Sequence, residues 1–113
     1  MLHPLSPEDE AIAFKMKYVQ VEWIHNDNND PVWIYSEIDS DRWEHRKIEV
    51  FRDGHQGFAD SKEEFGGSML GLEPWPDLNV LAADPEFDIA EITVHEFEKI
   101  WANRRARLKP LVK

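Results

Sequence analysis

With 113 residues, 42% apolar and 12% aromatic, the chain suffices for one domain around one hydrophobic core, and its composition is not that of a disordered segment. It has no cysteine, which excludes a disulfide framework and a thiolate zinc site. Its formal charge of −10 is uneven: residues 1–92 hold 21 acids and 7 bases, residues 93–113 hold 2 acids and 6 bases. A body this acidic repels phosphate backbones, so no nucleic-acid partner is expected, whereas a basic protein would be steered onto it.

No apolar run approaches the roughly 18 residues of a membrane span, and the N-terminus lacks the apolar core of a signal peptide. A cytoplasmic protein without membrane contact is the expectation. Residues 1–15 (MLHPLSPEDEAIAFK) combine two prolines with an acidic run and read as an extension, with Met16 a candidate start. Within them, Ser6-Pro7-Glu8-Asp9 is alternatively the cap of a short helix through Phe14. The domain itself is expected over 16–109, with 110–113 a tail.

From Lys17 to Asp60 apolar and polar residues alternate, the mark of antiparallel strands. A first strand, 17–25, puts Val19, Val21 and Trp23 on one face. The polar loop HNDNNDP leads to a second strand, 32–39. Pairing Trp23 with Ile34, Val21 with Ser36 and Val19 with Ile38 makes their core faces coincide. The opposite face then gathers Glu22, Ile24, Trp33, Tyr35 and Glu37. A third strand, 43–52, turns at Asp53-Gly54 into a fourth, 55–61. A two-residue turn there sets Arg52 against His55, Val50 against Gly57 and Ile48 against Ala59.

Residues 62–79 hold Gly66-Gly67, Gly71, Pro74 and Pro76, which forbid a continuous helix or central strand. A short helical turn follows over 78–83, and DIAEI can add a fifth, edge strand. The last element is a helix from Thr93 to Leu108. Thr93 and Glu96 form a capping box, and Val94, Phe97, Ile100 and Trp101 form the apolar stripe. Arg104, Arg105, Arg107 and Lys109 then face the helix C-terminus, and Pro110 stops it. The fold expected is α+β: a twisted antiparallel sheet of four to five strands with the C-terminal helix packed on one face.

The chemistry-bearing residues give no catalytic signature. Asn26, Asn28, Asp30 and Glu37 imitate EF-hand spacing, but Asn26 and Pro31 replace the Asp and Gly that such a loop needs, and the flanks are strands. The five histidines show no metal-ligand spacing, and no nucleophile elbow or phosphate loop is present. Neither a metal nor a cofactor is expected. Glu22 and Glu37 fall near each other on one sheet face, close enough for coupled protonation, although a hydrated acidic face needs only the same residues. Trp75, between two prolines, is either a cover for a core edge or an anchor for a partner.

The segments VEWIH, DPVWIYSEID, RWEHRKIEVFRDG and GFAD, followed by LGLEPWP, ADPEF and EITVHEFEKIW, resemble a widespread family of small bacterial proteins classified as a domain of unknown function. The resemblance runs from about Met16 to Trp101. It implies one bacterial domain and brings no activity, cofactor or catalytic residue.

From these residues the expected function is non-enzymatic capture of a basic protein, with an immunity-like or inhibitory role against a basic toxin or nuclease its most concrete form. The candidate contacts are Glu22, Trp33, Tyr35 and Glu37, with Trp75 as hydrophobic anchor. The alternative is a small-molecule binder or minor enzyme in which residues 62–79 form a lid over a pocket lined by Trp75 and carboxylates. A homodimer through the edge strand or the aromatic face is a third reading.

Overall fold

The computed structural model describes residues 16–111, so the extension 1–15, with the short helix read within it, and the last two residues lie outside the described residues. Period-two alternation does produce strands: β1 (Lys17–Trp23), β2 (Trp33–Ile38), β3 (Glu44–Val50) and β4 (Gln56–Ala59). Two more complete an α+β sheet: β5 (Glu64–Phe65) and β6 (Phe87–Ile92). The spatial order is β5-β4-β3-β2-β1-β6, and every neighbouring pair is antiparallel. The sheet therefore has six strands, not four or five. β5 is the unexpected one, folded onto β4 by a turn in which the Asp60 carboxylate accepts from the amides of Lys62 and Glu63. DIAEI lies within β6, at the edge beside β1.

The β1–β2 register differs from the expected one by two residues: Val21 faces Ile34 and Val19 faces Ser36. The cause is the loop 24–31. His25 Nδ1 accepts from the Asp27 amide while Nε2 donates to the Pro31 carbonyl, so residues 24 and 25 leave the strand. An even shift preserves the faces. The β3–β4 register differs by one, and there the faces change: Val50 meets Gln56, Ile48 meets Phe58 and Glu49 meets Gly57. Phe51 N–H bonds to the His55 carbonyl, closing a three-residue loop whose last member, Gly54, has φ +92°. A glycine in that left-handed conformation is what such a loop requires. Gly57 and Ala59 consequently share the face of Glu49 and Lys47, and Phe58 turns to the other.

Both faces of the sheet are covered. On one, Tyr18, Ile48, Val50 and Phe58 pack with Phe97 of α2 (Val94–Ala102), joined by half-buried Trp33, Tyr35, Ile100 and Trp101. Complete burial of Phe58 and Phe97 contributes about 2–3 kcal/mol each. On the other face, Val19, Val21 and Ile38 lie under Trp75, Leu78, Phe87 and Ile89. Phe87 and Ile89 belong to β6 of the sheet itself, and Trp75 and Leu78 come from the segment 66–83, including α1 (Leu78–Ala82), which Asp77 caps.

The capping box of Thr93 and Glu96 starts α2 as expected, with both reciprocal hydrogen bonds formed. The helix ends at Ala102, well before Leu108. The Asn103 side chain takes the Lys99 carbonyl, and Gln56 Nε2 donates to the Asn103 and Ala106 carbonyls. Arg104 lies 4.3 Å over Trp101 and 4.9 Å over Phe58 and donates to the Trp101 carbonyl at 2.9 Å, so it packs on the core as well as meeting the helix end. Residues 107–111 then run back along the β3–β4 turn, Leu108 N–H to Gly54 and Leu111 N–H to Arg52.

Candidate functional site

Five residues were singled out by sequence, and the fold distributes them over four places. Glu22 and Trp33 stay together. They are direct cross-strand partners, and one row across the helix-bearing face reads Asp88, Glu22, Trp33, Val50, Gln56 from β6 to β4. α2 starts beside Ile92 and ends near Gln56, crossing this face diagonally, so among the described residues no helix covers the Asp88–Glu22 corner. Asp88 is exposed and Glu22 half-buried.

Beside this corner lies a cavity of about 270 Å³, lined among others by Glu22, Trp33, Ile24, His25, Arg52 and Leu111. Its walls come from strand ends, the 24–31 loop and the returning C-terminal segment. Arg52 braces the loop: its guanidinium donates to the His25 carbonyl at 2.7 Å and to Asn28 Oδ1 at 3.3 Å. Among the described residues, the Glu22 carboxylate has neither an ion pair nor a side-chain hydrogen bond. Trp33 stacks on Tyr35, ring centroids 6.3 Å apart.

Tyr35 sits one row further in, against α2, and its hydroxyl pKa is raised by burial. Glu37, two rows from Glu22, is inside the structure at 8% exposure. Arg46 donates to it twice, at 2.8 and 2.7 Å, and the Tyr18 hydroxyl donates at 2.9 Å. Burial pushes the Glu37 pKa upward, but the hydrogen bonds and charge of Arg46, with the Tyr18 bond, hold it below the usual carboxylate range. Arg46 also bonds Glu98 of α2 at 2.6 Å and lies 4.9 Å over Phe97 and 5.1 Å over Trp101. Glu37 is thus a core ion pair that locks the helix to the sheet, and it does not couple with Glu22. The same engagement removes it from any EF-hand-like loop. Among the described residues, no three His, Cys, Asp or Glu side chains come together as metal ligands.

Trp75 belongs to the opposite face. With Pro76, Leu81, Phe87, Val21 and Ile34 it lines a groove of about 280 Å³, ended by Glu44 and Lys47. Glu44 is almost wholly buried and satisfied, accepting from Ser36 Oγ at 2.9 Å, Gly71 N–H at 2.7 Å and Lys47 Nζ at 3.0 Å. Ser68 donates to Glu49 at 2.6 Å, Lys47 to the Met69 carbonyl at 3.1 Å, and Arg42 to the Trp75 carbonyl at 2.9 Å. These bonds tie the Gly- and Pro-rich segment to the sheet, so irregular backbone covers a core without orphaning its polar groups.

Sequence reasoning missed Asp88, Arg52 and Leu111 at the corner and Glu44 with Lys47 at the groove. Asp88 was within reach, since its position in DIAEI puts it on the same face as Glu22 once β6 pairs with β1. Arg52 and Leu111 depend on the loop 24–31 and the return of residues 107–111, and Glu44 with Lys47 on the segment 66–83, none of which carries periodicity.

No curated protein and no solved structure matches the chain. A family model does, over residues 17–106, from the start of β1 past the end of α2, and so spans every described strand and both helices. The chain belongs to the family described as a domain of unknown function, DUF6881.

Proposed function

We propose that this is an acidic protein-binding domain whose partner is a basic protein, an immunity-like or inhibitory role against a basic toxin or nuclease being its most concrete form. What supports the reading is the disposition of charge. Among the described residues most of the basic side chains are engaged within the molecule: Arg42 on Trp75, Arg46 on Glu37 and Glu98, Lys47 on Glu44, Arg52 on the 24–31 loop, Arg104 on Trp101, Arg105 on Glu63, Lys17 on Glu91 and Arg107 on Asp53. The net charge of −10 is therefore expressed outward by carboxylates such as Glu22, Glu73, Glu86 and Asp88. An outward field of one sign accelerates encounter with an oppositely charged surface and disfavours other partners. The test is affinity capture at low salt from cells that make the protein. A basic partner, released by salt, supports the reading; an acidic partner, or one indifferent to salt, overturns it.

A second reading rests on the groove under the 66–83 segment, where Trp75 and a carboxylate, Glu44, meet over an apolar floor. A small apolar molecule is the occupant this shape suits, with the segment as its lid. Ligand-induced protection of the Gly71 amide in hydrogen exchange supports it, and a groove that takes up no small molecule from a fragment library removes it.

A further inference from the structure

The cavity at the sheet corner that α2 leaves free has a chemical counterpart elsewhere in the molecule. Two rows along the same face, Glu37 is answered by a guanidinium that also lies on the rings of Phe97 and Trp101. The corner repeats two parts of that arrangement, a half-buried carboxylate (Glu22) and an indole (Trp33) in a direct cross-strand pair. Among the described residues no cation pairs with Glu22, since Arg52 on the same cavity wall turns to the 24–31 loop. Instead Glu22 faces a second carboxylate, Asp88, on its other side. Like charges directly opposite on neighbouring strands destabilise a sheet, and a cation placed between them reverses the sign.

We propose that this cavity receives one arginine or lysine side chain of a basic protein partner, its aliphatic stem along Ile24 and Leu111, its cationic head on Glu22 and Trp33, with Asp88 outside the cavity on the strand beyond Glu22. The proposal rests on the basic-partner reading and gives it a contact. The space of about 270 Å³ suits one long side chain. Both rim residues that meet the stem are apolar and exposed, Ile24 at 55% and Leu111 at 39%. Long cationic side chains bury such stems while keeping the head on charge and ring. Arg52, the positive group on the wall, donates to neutral acceptors of the 24–31 loop, and its one charge stands against two carboxylates, Glu22 in the lining and Asp88 opposite it on β6.

The test is titration of the intact protein with a capped hexa-arginine peptide at about 20 mM salt, where surface charges are weakly screened, followed by amide and indole resonances. The Trp33 indole N–H, assigned with Trp33→Phe, is expected to shift saturably. Glu22→Gln with Asp88→Asn should weaken binding about tenfold, as expected when a partly desolvated cation site loses its charge. Glu73→Gln with Glu86→Gln, the same change of charge elsewhere, should weaken it less than about twofold. Unshifted resonances elsewhere show that each variant keeps its fold. Peptide binding that leaves Trp33 unmoved, or is weakened equally by both pairs, overturns the notch and leaves the general acidic reading standing. Shifts of Trp33 that follow protein concentration without peptide make the occupant a second copy of this chain and also overturn it. No binding at all removes the notch, and capture from cells then decides the broader reading separately.

Discussion

Glu22 of β1 and Asp88 of β6 stand directly opposite each other on the face that carries α2, with Trp33 on the far side of Glu22. Cross-strand partners have Cβ atoms about 4.5–5.5 Å apart, close enough for two carboxylates to repel. Asp88→Asn is therefore expected to stabilise the free domain by about 0.2–1 kcal/mol in urea unfolding, the range of such pair terms. The same change should weaken capture of a basic partner. A variant both less stable and equally good at capture would show that the pair is an incidental surface feature.

Glu37 behaves oppositely. Charge reversal there leaves Arg46 buried beside a second cation and breaks its two hydrogen bonds. Glu37→Lys should cost about 3–5 kcal/mol, the usual penalty for removing one partner of a buried pair. Glu22→Lys, at a half-buried corner, should stay within about 1 kcal/mol of the parent. Denaturant midpoints of the two variants make the comparison, and equal midpoints would contradict the assignment of Glu37 to the core.

The ionisation of Glu37 also sets a pH dependence. Its folded pKa lies below the ordinary value of 4.5, so its contribution to stability is present above that value and is lost as pH falls through the folded pKa. Asp39, Asp53 and Asp60 shift in the same direction but are more exposed, so solvent screens their share. Thermal melts between about pH 6 and 3 should show a falling midpoint for the parent and a shallower fall for Glu37→Gln. Parallel curves would mean that other carboxylates govern acid sensitivity.

Gly54 is needed twice, for its positive φ and because a Cβ there would collide with the Leu108 carbonyl. Gly54→Ala should lower stability by about 1–3 kcal/mol and loosen residues 107–111. Trypsin cleavage after Arg107 reports that release, since Pro110 blocks cleavage after Lys109. An unchanged cleavage rate would show that the returning segment is held independently of the turn.

These positions mark what could be read from the sequence. Strand number two through four, the β6 edge, the Thr93 cap and the apolar stripe of α2 all follow from local periodicity and capping, which need only neighbours in sequence. The β3–β4 register did not. Asp53-Gly54 satisfies a two-residue turn as well as the end of a three-residue loop, and the burial of Phe58 under Trp101 decides between them. The helix end was obscured in the same way, since residues 103–108 read as helix until the bonds of Gln56 to the Asn103 and Ala106 carbonyls are known. Of the candidate site, Glu22 with Trp33 was legible because two strands placed them. Glu37 was misleading because its partner Arg46 comes from β3, where alternating charges read as a wet face. Trp75 was legible as a cover for a core edge, the one of its two readings that its packing on Val19, Val21 and Ile38 matches.

The central claim is that charge at the β1–β6 corner guides and holds a basic partner. The most direct measurement is the association rate of the captured partner at increasing salt, for the parent and for Glu22→Lys with Asp88→Lys. The parent should bind rapidly at low salt and slow steeply as salt rises, while the variant should bind slowly at every concentration. Rates that are equal in both proteins and flat with salt would contradict it.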